Sequence, residues 1–474
     1  MLLSKLLSNV ENVEYKNFKD IDILSICDNT KEVKAGALFC CVVGEKYDAH
    51  NYVKVIAEYG CKAFLVEYFI NGLGDDIIQI KVDSVRKQMC KVASNFYDNP
   101  AKKMDLIGVT GTNGKTSITF ILKNAFEKLK LKVGVIGTTG YYIGNAKYET
   151  KLTTPDVLDL YKIFNQMVAE GVEVVVMEVS AHSVYFDKIY GLKFKIGIFT
   201  NLTQDHLDFF ETMTNYGNYK FKFLNEYCEN VVINADDEFI KKLKFNNKIK
   251  SYAIKNLAYL KAENVKILMN KIEFDAMINK EENVHFTYPN GGVHNLYNVL
   301  ASLLTLKVYG IKLKRLTKII AKTPQILGRL DYIKVHQYFV CIDYAHTPDA
   351  LNNVLSTVRP FTDDLIVVFG SSGNRDSLKR EEMGTIVSKY ADYIILTSDN
   401  PRYEKETDIL NDLSKSIKVP FVIESDRAKA IKYANEIAKS GSIIVICGKG
   451  VETYQDINAI KVAYSDYDEV KKYI

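Results

Sequence analysis

Several things are missing from this 474-residue chain. No apolar run approaches the ~18 residues that a membrane-spanning helix needs, and the opening Met1–Asp20 stretch shows no small-residue cleavage site, so neither a membrane anchor nor a secretion signal is expected and a cytoplasmic location follows. Net charge is nearly absent: Lys+Arg 62 against Asp+Glu 58 leaves +4, too little for its size to imply a nucleic-acid or membrane-surface partner. The eight cysteines contain no C-x-x-C pair and mostly fall in apolar runs such as Leu38-Phe39-Cys40-Cys41-Val42-Val43, which reads as buried, reduced thiols. Internal repeats and low-complexity tracts are also lacking. With 47% hydrophobic and 25% charged residues, the composition excludes a disordered, collagen-like or coiled-coil chain. Arginine is scarce as well. Only Arg86, Arg315, Arg329, Arg359, Arg375, Arg380, Arg402 and Arg427 occur among the many lysines, so an arginine here suggests a need for a fork-shaped donor.

What is present is an alternation of strand-length apolar runs with helix-length amphipathic segments, the pattern of parallel α/β domains. At roughly 100–200 residues per domain the length allows two to four. A first unit, residues 1–98, has strands at Ala37–Val43, Ala63–Val66 and Ile77–Val82. A second, 99–325, has strands at Asp105–Thr110, Val133–Ile136, Val172–Met177, Lys195–Phe199 and Asn230–Asn234. It continues through a β-rich stretch near 248–290, where Lys271–Ile278 alternates, and ends with helices at Val293–Tyr309 and about 313–322. A third, 326–474, has strands at Tyr338–Ile342, Leu365–Phe369, Tyr393–Thr397, Val419–Ile423 and Ile443–Cys447, as in a small doubly wound sheet. Ligands on such sheets bind beyond the carboxyl ends of the strands, where the motifs below fall.

Leu106-Ile-Gly-Val-Thr-Gly-Thr-Asn-Gly-Lys-Thr-Ser117 is an apolar strand, a glycine-rich loop and a helix start. Gly108, Gly111 and Gly114 let backbone N–H groups close around phosphate oxygens at the positive end of the helix. Lys115 can reach the β- and γ-phosphates and the Thr116 hydroxyl can bind Mg²⁺. Val109 stands where a generic phosphate loop has its first glycine. This loop implies a nucleoside triphosphate and nothing about the reaction.

Together, Thr110-Gly-Thr-Asn-Gly-Lys-Thr116, Glu178-Val-Ser-Ala-His182, Asn201-Leu-Thr-Gln-Asp-His-Leu-Asp208 and Asp343-Tyr-Ala-His-Thr-Pro348 resemble the Mur ligase family. The resemblance spans Asp28 to Asp466. Thr153-Thr-Pro-Asp156, Gly370-Ser-Ser-Gly-Asn-Arg-Asp376, Asp399-Asn-Pro-Arg402 and Gly448-Lys-Gly-Val-Glu452 point within it to the tripeptide-forming type. The resemblance implies three domains: a central P-loop, parallel-sheet ATPase domain, flanked by an N-terminal UDP-binding α/β domain and a C-terminal Rossmann-like domain. It also implies a reaction, ATP-driven ligation of an amino acid to UDP-N-acetylmuramoyl-dipeptide, in peptidoglycan synthesis. The substrate carboxylate becomes an acyl phosphate and an amine then displaces phosphate. Two anions must meet, so Mg²⁺ and lysines are needed to screen them. A monomer is expected.

The family pattern supplies the expected roles. Lys115, Glu178, His206 and Lys220 are the catalytic set. Thr116, Glu178, His206 and Lys220 surround metal, with Lys220 as a carbamate and Lys222 as the competing position. Gly111, Thr112, Asn113, Gly114, Lys115, Thr116 and Ser117 hold the ATP phosphates. Asn295 and Asn298 open a helix beside adenine, unless they only cap it. Arg329 lies at a hinge, and Asp343 and His346 reach ATP from the third unit. For UDP-N-acetylmuramoyl-dipeptide the expected contacts are Asn29, Thr153, Thr154, Ser180 and Lys188, with Thr153 and Thr154 beginning a helix. Asp28-Asn-Thr30 and Gly44-Glu-Lys-Tyr-Asp48 resemble the segments that hold the uracil end, Asn29 replacing the usual Ser. Phe186 and Lys188 also depart from the pattern.

The incoming amino acid would meet Arg375, Asp399, Asn400, Pro401, Arg402, Gly448 and Glu452. Asp399–Arg402 goes with meso-diaminopimelate in this family, and the chemistry agrees. Diaminopimelate is lysine with a second carboxylate, which an arginine can grip with two hydrogen bonds while repelling a bare ammonium. Arg375 would take the proximal carboxylate and Glu452 the distal ammonium. L-Lysine, ornithine or meso-lanthionine addition, or a folylpolyglutamate synthetase-like ligation, are the competing readings.

Overall fold

The computed structural model describes every residue except Glu45, Lys46, Lys280 and Leu378. The chain is of the α/β class and falls into two compact units, one formed by Met1–Thr110, Leu129–Gly197 and Tyr219–Asn230, the other by Gly111–Lys128, Ile198–Asn218 and Val231–Ile474.

The first unit begins with a five-stranded sheet in the order Glu14–Lys16, Ile78–Lys81, Ala63–Val66, Ala37–Cys40, Ser25–Cys27. All neighbours are parallel except the first pair. Ala63–Val66 and Ala37–Cys40 are buried at every position, as continuous apolar runs in a parallel sheet should be. Phe39, Phe64, Cys27, Cys41 and Cys61 share one core. All eight cysteines of the chain are free and buried, and burial pushes the Cys27 thiol up to about 12, so these side chains act as small apolar groups.

Further along this unit, Val174–Glu178 lies parallel between Asp105–Thr110 and Val133–Gly137. The register sets Glu178 opposite Val109, at the carboxyl ends of both strands. A sheet edge follows through Gly140–Ile143 and Ala146–Tyr148. Thr153 and Thr154 do not begin a helix. The helix runs Val157–Ala169 with Asp156 as its leading cap residue. Pro155 explains the delay, because proline's ring drives the preceding residue out of helical geometry.

In the second unit the helix Lys115–Lys128 packs against Val293–Val308, with Phe126 edge-on to Tyr309 at 4.9 Å. Strands Lys271–Ile278 and Glu282–Tyr288 pair antiparallel, and Lys271–Ile278 buries every second residue. The expected helix near 313–322 splits into a 3-10 turn, Leu313–Arg315, and a short helix, Thr317–Ile320. Last comes a six-stranded sheet in the order Asp331–Val335, Tyr338–Asp343, Ile443–Cys447, Leu365–Phe369, Tyr393–Leu396, Phe421–Ile423. It is parallel apart from its first pair. The final strand starts after Pro420, which has no N–H for the ladder. Among the described residues no helix is long and apolar enough to cross a membrane.

Candidate active site

The phosphate loop of the second unit is shaped by how closely its backbone approaches its neighbours. Gly111 has φ 141° and Gly114 φ 88°, conformations that side chains resist. A Cβ at Gly111 would lie 1.8 Å from the Thr200 hydroxyl, and one at Gly114 2.4 Å from Asn298 Oδ1. The loop is strapped to the segment after Phe199. Thr112 N–H donates to the Asn201 carbonyl (2.9 Å), Asn113 N–H to Asn201 Oδ1 (2.9 Å), and Thr200 Oγ1 to the Asn113 carbonyl (2.7 Å). Lys115 folds back over the loop, its Nζ donating to the carbonyls of Gly111 (2.9 Å) and Thr112 (2.8 Å). Thr116 and Ser117 are buried at the helix start.

Residues far along the chain meet this loop within the same unit. Arg329 Nη2 donates to Thr116 Oγ1 (3.3 Å), and its guanidinium lies 4.8 Å from the Tyr344 ring centre. Asn113 Nδ2 donates to Asp349 Oδ2 (2.8 Å). A cavity of about 270 Å³ opens here, lined by Asn113, Ser117, Asn295, Asn298, Arg329, Asp343 and His346 among others. That is near the ~300 Å³ lower end of small-molecule sites. Asn295 and Asn298 sit in the opening turns of Val293–Val308, both buried. The cap residue is Gly292, with no side-chain cap bond, and Asn295 Nδ2 donates instead to the Gly291 carbonyl (2.8 Å). Both Asp343 oxygens already accept backbone N–H groups, from Leu330 and Ala345 at 2.7 Å each, so this carboxylate fixes the hinge turn. Its pKa is nevertheless raised, because burial outweighs Arg329. His346 donates Nδ1–H to the Tyr344 carbonyl (2.8 Å), and burial followed by Lys379 lowers its pKa.

Two further residues of this region went unassigned in the sequence. His294 lines the cavity, and burial with Arg329 beside it brings its pKa down to about 4, so the imidazole is neutral. Lys379 is buried and acts on Asp205. Burial alone would raise Asp205, but His206, His346, Lys379 and Lys115 hold it down to about 2. His206 Nε2 stands 3.4 Å from Asp205.

The first unit gathers Glu178, Thr153, Thr154 and Ser180. Glu178 is 1% exposed and accepts from Thr138 twice, backbone N–H and hydroxyl, at 3.1 Å each. The Thr153 and Thr138 hydroxyls are 3.1 Å apart, Thr154 Oγ1 donates to the Glu178 carbonyl (2.9 Å), and Ser180 N–H donates to Thr154 Oγ1 (3.2 Å). Thr138 is thus a site residue that no quoted motif contained. Ser180 caps the helix Ala181–Tyr185, its Oγ accepting Ser183 N–H. Lys188 pairs with Asp156 at 2.6 Å. Asn29 caps the turn Thr30–Glu32 through Oδ1, accepting Lys31 N–H at 3.0 Å. Burial, then the nearby Asp156 charge, pushes Asp28 up to about 6. Of the Gly44–Asp48 segment, Glu45 and Lys46 lie outside the described residues. On the helix Met213–Tyr227, Lys220 is 1% exposed whereas Lys222 is half-buried.

Of the expected amino-acid residues, Asp399, Asn400 and Glu452 gather in the second unit around Lys449, to which the motif reading gives no role. Lys449, fully buried, has Nζ 3.4 Å from Asp399 Oδ1, 3.0 Å from Asn400 Oδ1 and 3.1 Å from Glu452 Oε2. Asn400 Nδ2 and the Tyr344 hydroxyl also donate to Glu452, at 3.1 and 3.3 Å. The buried Asp399 carboxyl is held low by Lys449 and Arg427 despite desolvation. Arg427 in turn makes a fully buried pair with Asp466 (2.7 and 2.8 Å) and donates to the Ser398 and Cys447 carbonyls. Gly448, at φ 113°, turns the chain where its missing Cβ faces Asp399. Arg402 takes a left-handed φ of 54° after Pro401, its N–H bonding the Asp456 carbonyl (2.9 Å) and its side chain 3.9 Å from the Asp456 carboxylate. Arg375 reaches solvent. Partial burial and then the Arg402 guanidinium lower its pKa, while Asp208 and Asp205 act the other way.

In the second unit Thr116 presents a hydroxyl, and in the first unit Glu178 presents a buried carboxylate; each by itself is a hard oxygen donor of the kind magnesium takes. Among the described residues no group of three or more His, Cys, Asp or Glu could hold a metal by itself.

Residues 109–306 match the Mur ligase middle domain and residues 328–450 the Mur ligase, glutamate ligase domain. The chain is 40% identical over 478 residues, 98% of each chain, to a Clostridium botulinum (strain ATCC 19397 / Type A) protein named UDP-N-acetylmuramoyl-L-alanyl-D-glutamate--2,6-diaminopimelate ligase. A Clostridium tetani (strain Massachusetts / E88) protein of the same name is 40% identical over 486 residues, 100% of this chain and 99% of that one. A solved structure of a protein of that name superposes with a TM-score of 0.68 at 28% identity, covering 95% of this chain and 94% of that one. The chain belongs to the Mur ligase family.

Proposed function

We propose that this protein is an ATP-dependent, ADP-forming ligase that joins meso-diaminopimelate to UDP-N-acetylmuramoyl-L-alanyl-D-glutamate, a step in building the peptidoglycan precursor. The full-length relatives carry that name. The feature of this chain that supports the reading is the second-unit cluster in which Asp399, Asn400 and Glu452 surround the Lys449 ammonium, on the same loops that carry Arg402 and Gly448. Two guanidinium groups suit the two carboxylates of diaminopimelate, and the acids beside them suit its ammonium groups.

The glycine-rich loop and the helix start receive the triphosphate. Lys115 leaves its loop carbonyls for the phosphates, and Arg329, now on the Thr116 hydroxyl, offers a second cation. The D-glutamate carboxylate takes the γ-phosphoryl group, giving an acyl phosphate and ADP. The free amine of diaminopimelate, held by Arg375 at its proximal carboxylate, then displaces phosphate. Thr116, Glu178, His206 and a carbamylated Lys220 would hold Mg²⁺, which supplies charge neutralisation of the phosphates when bound. Asn295, Asn298, Asp343 and His346 would hold the nucleoside. Asn29, Thr153, Thr154, Ser180 and Lys188 would hold the uridine nucleotide and its peptide. Boundaries near 98 and 325, a monomeric state and a cytoplasmic location belong to the same reading.

The test is ligation with UDP-N-acetylmuramoyl-L-alanyl-D-glutamate, ATP, Mg²⁺ and a panel of meso-diaminopimelate, meso-lanthionine, L-lysine and L-ornithine, read by mass spectrometry. The diaminopimelate tripeptide is expected, with no lysine product. Equal turnover of lysine overturns the assignment. Lys220→Ala should abolish ligation while leaving nucleotide binding by calorimetry largely intact, with no rescue by bicarbonate. Full activity in that variant would remove Lys220 from the mechanism.

A further inference from the structure

The two arginines of the pocket stand on separate loops, 371–376 and 399–404, and hydrogen bonds on the residues adjoining the arginines join those loops. Asn374, just before Arg375, accepts the Tyr403 N–H on its Oδ1 (2.9 Å), and Tyr403 directly follows Arg402. In return the Asn374 N–H donates to Glu404 Oε2 (3.0 Å). The Gly373 N–H donates to the Asn400 carbonyl (2.9 Å). The approach is so close that a Cβ on Gly373 would come 2.0 Å from the Pro401 carbonyl oxygen. Glu404 is itself held from below. Arg380, 1% exposed, grips it with a two-pronged pair (2.6 and 2.8 Å) and extends to Asp412 (3.1 Å). Asn374 and Arg402 both adopt left-handed φ, 50° and 54°, so each loop turns sharply at the crosslink.

We propose that Asn374, Glu404 and Arg380 form a clamp that fixes the separation of the Arg375 and Arg402 guanidinium groups, and that this separation sets the chain length of the dicarboxylic diamino acid the site accepts. The inference rests on the ligase reading above and adds to it residues that act without touching substrate. Such a clamp is needed physically. Two like charges repel, and without a mechanical tie the two loops would drift apart and accept diacids of several lengths. Bidentate Arg–carboxylate pairing is directional, which makes Arg380–Glu404 a stiff anchor.

The test measures kcat and KM for 2,6-diaminopimelate and for its homologues one methylene shorter and longer, 2,5-diaminoadipate and 2,7-diaminosuberate. The native enzyme is compared with Asn374→Ala, Asn374→Asp and Glu404→Gln. Asn374 is exposed, so its truncation leaves the core intact. The native enzyme should prefer the pimelate. Asn374→Ala and Glu404→Gln should raise its KM about tenfold with saturating kcat and the ATP KM little changed, and should bring the kcat/KM ratio between pimelate and suberate homologues toward one. Asn374→Asp keeps the acceptor for Tyr403 and should keep the preference. A native length preference that survives in both Asn374→Ala and Glu404→Gln overturns the clamp and leaves the ligase reading standing. A native enzyme that uses lysine and none of the diacids overturns both.

Discussion

The glycine-rich loop and the charge cluster around Lys449, proposed to receive the triphosphate and the amino acid, are built by different means. The loop works through backbone. Gly111 and Gly114 allow contacts with Thr200 and Asn298 that a side chain would block, and the straps to Asn201 and Thr200 are all loop atoms on neighbouring polar groups. The pocket works through buried charge. Lys449 and Arg427 neutralise Asp399, Glu452 and Asp466, and Arg380 anchors Glu404. A backbone cradle tolerates little change of shape, whereas a charge network tolerates little change of charge.

That contrast can be broken first at Gly114→Ala. The new Cβ would meet Asn298 at a left-handed φ, so ATP-dependent phosphate release should fall by at least about 100-fold, roughly 2.7 kcal/mol of lost stabilisation. Amino-acid binding by calorimetry should survive. Preserved turnover would mean the cradle is softer than its contacts indicate. Next, Lys449→Met keeps length and removes charge. Breaking a buried pair costs about 3–5 kcal/mol because uncompensated charge remains, so the melting temperature and the diaminopimelate affinity should both drop while the ATP KM holds. A variant as stable as the native protein would show that Asp399 and Glu452 take up protons at no cost.

A smaller effect sharpens the link between the two sites. Tyr344 stacks under Arg329, which touches Thr116, and also donates to Glu452. Tyr344→Phe removes one hydrogen bond to a charged group, about 1.5 kcal/mol at most across a 3.3 Å contact, so the diaminopimelate KM should rise by up to roughly tenfold with the ATP KM nearly constant. A change confined to ATP would place the role of Tyr344 on the nucleotide alone.

A further test lies in the first unit and concerns pH. Asp28, at about 6 in the folded protein against 3.8 for an ordinary Asp, binds more protons folded than unfolded between those values. Stability therefore falls as pH rises from about 4 to 6. Asp28→Asn should raise the melting temperature at pH 7 and leave it unchanged below pH 4, as differential scanning calorimetry can check. Asp205 has the opposite sign: at about 2 it contributes stability above pH 4 that is lost as pH falls toward 2.

The sites differ too in how well they could be read beforehand. Glu178 at a strand end and Asn295 and Asn298 in the first turns of a helix lie where short-range pattern put them, because strands, glycine turns and helix starts are set by local geometry. Thr153 and Thr154 were misread as a helix start because Pro155 delays it. Thr138, His294, Lys379, Arg427 and Lys449 carried no local signal. Lysine is the commonest cation of the chain, and whether one of them is buried against three acceptors depends on loops some 50 residues apart meeting.

Periodicity and the spacing of the glycine-rich loop give an α/β scaffold with a phosphate loop, since these are local properties, and the resemblance of its motifs to the Mur ligases adds the reaction. Only the folded structure decides which charges are buried together, around Lys449 and between Arg380 and Glu404. Burial and pairing energies depend on neighbours brought in from distant sequence, and no window of the chain contains them.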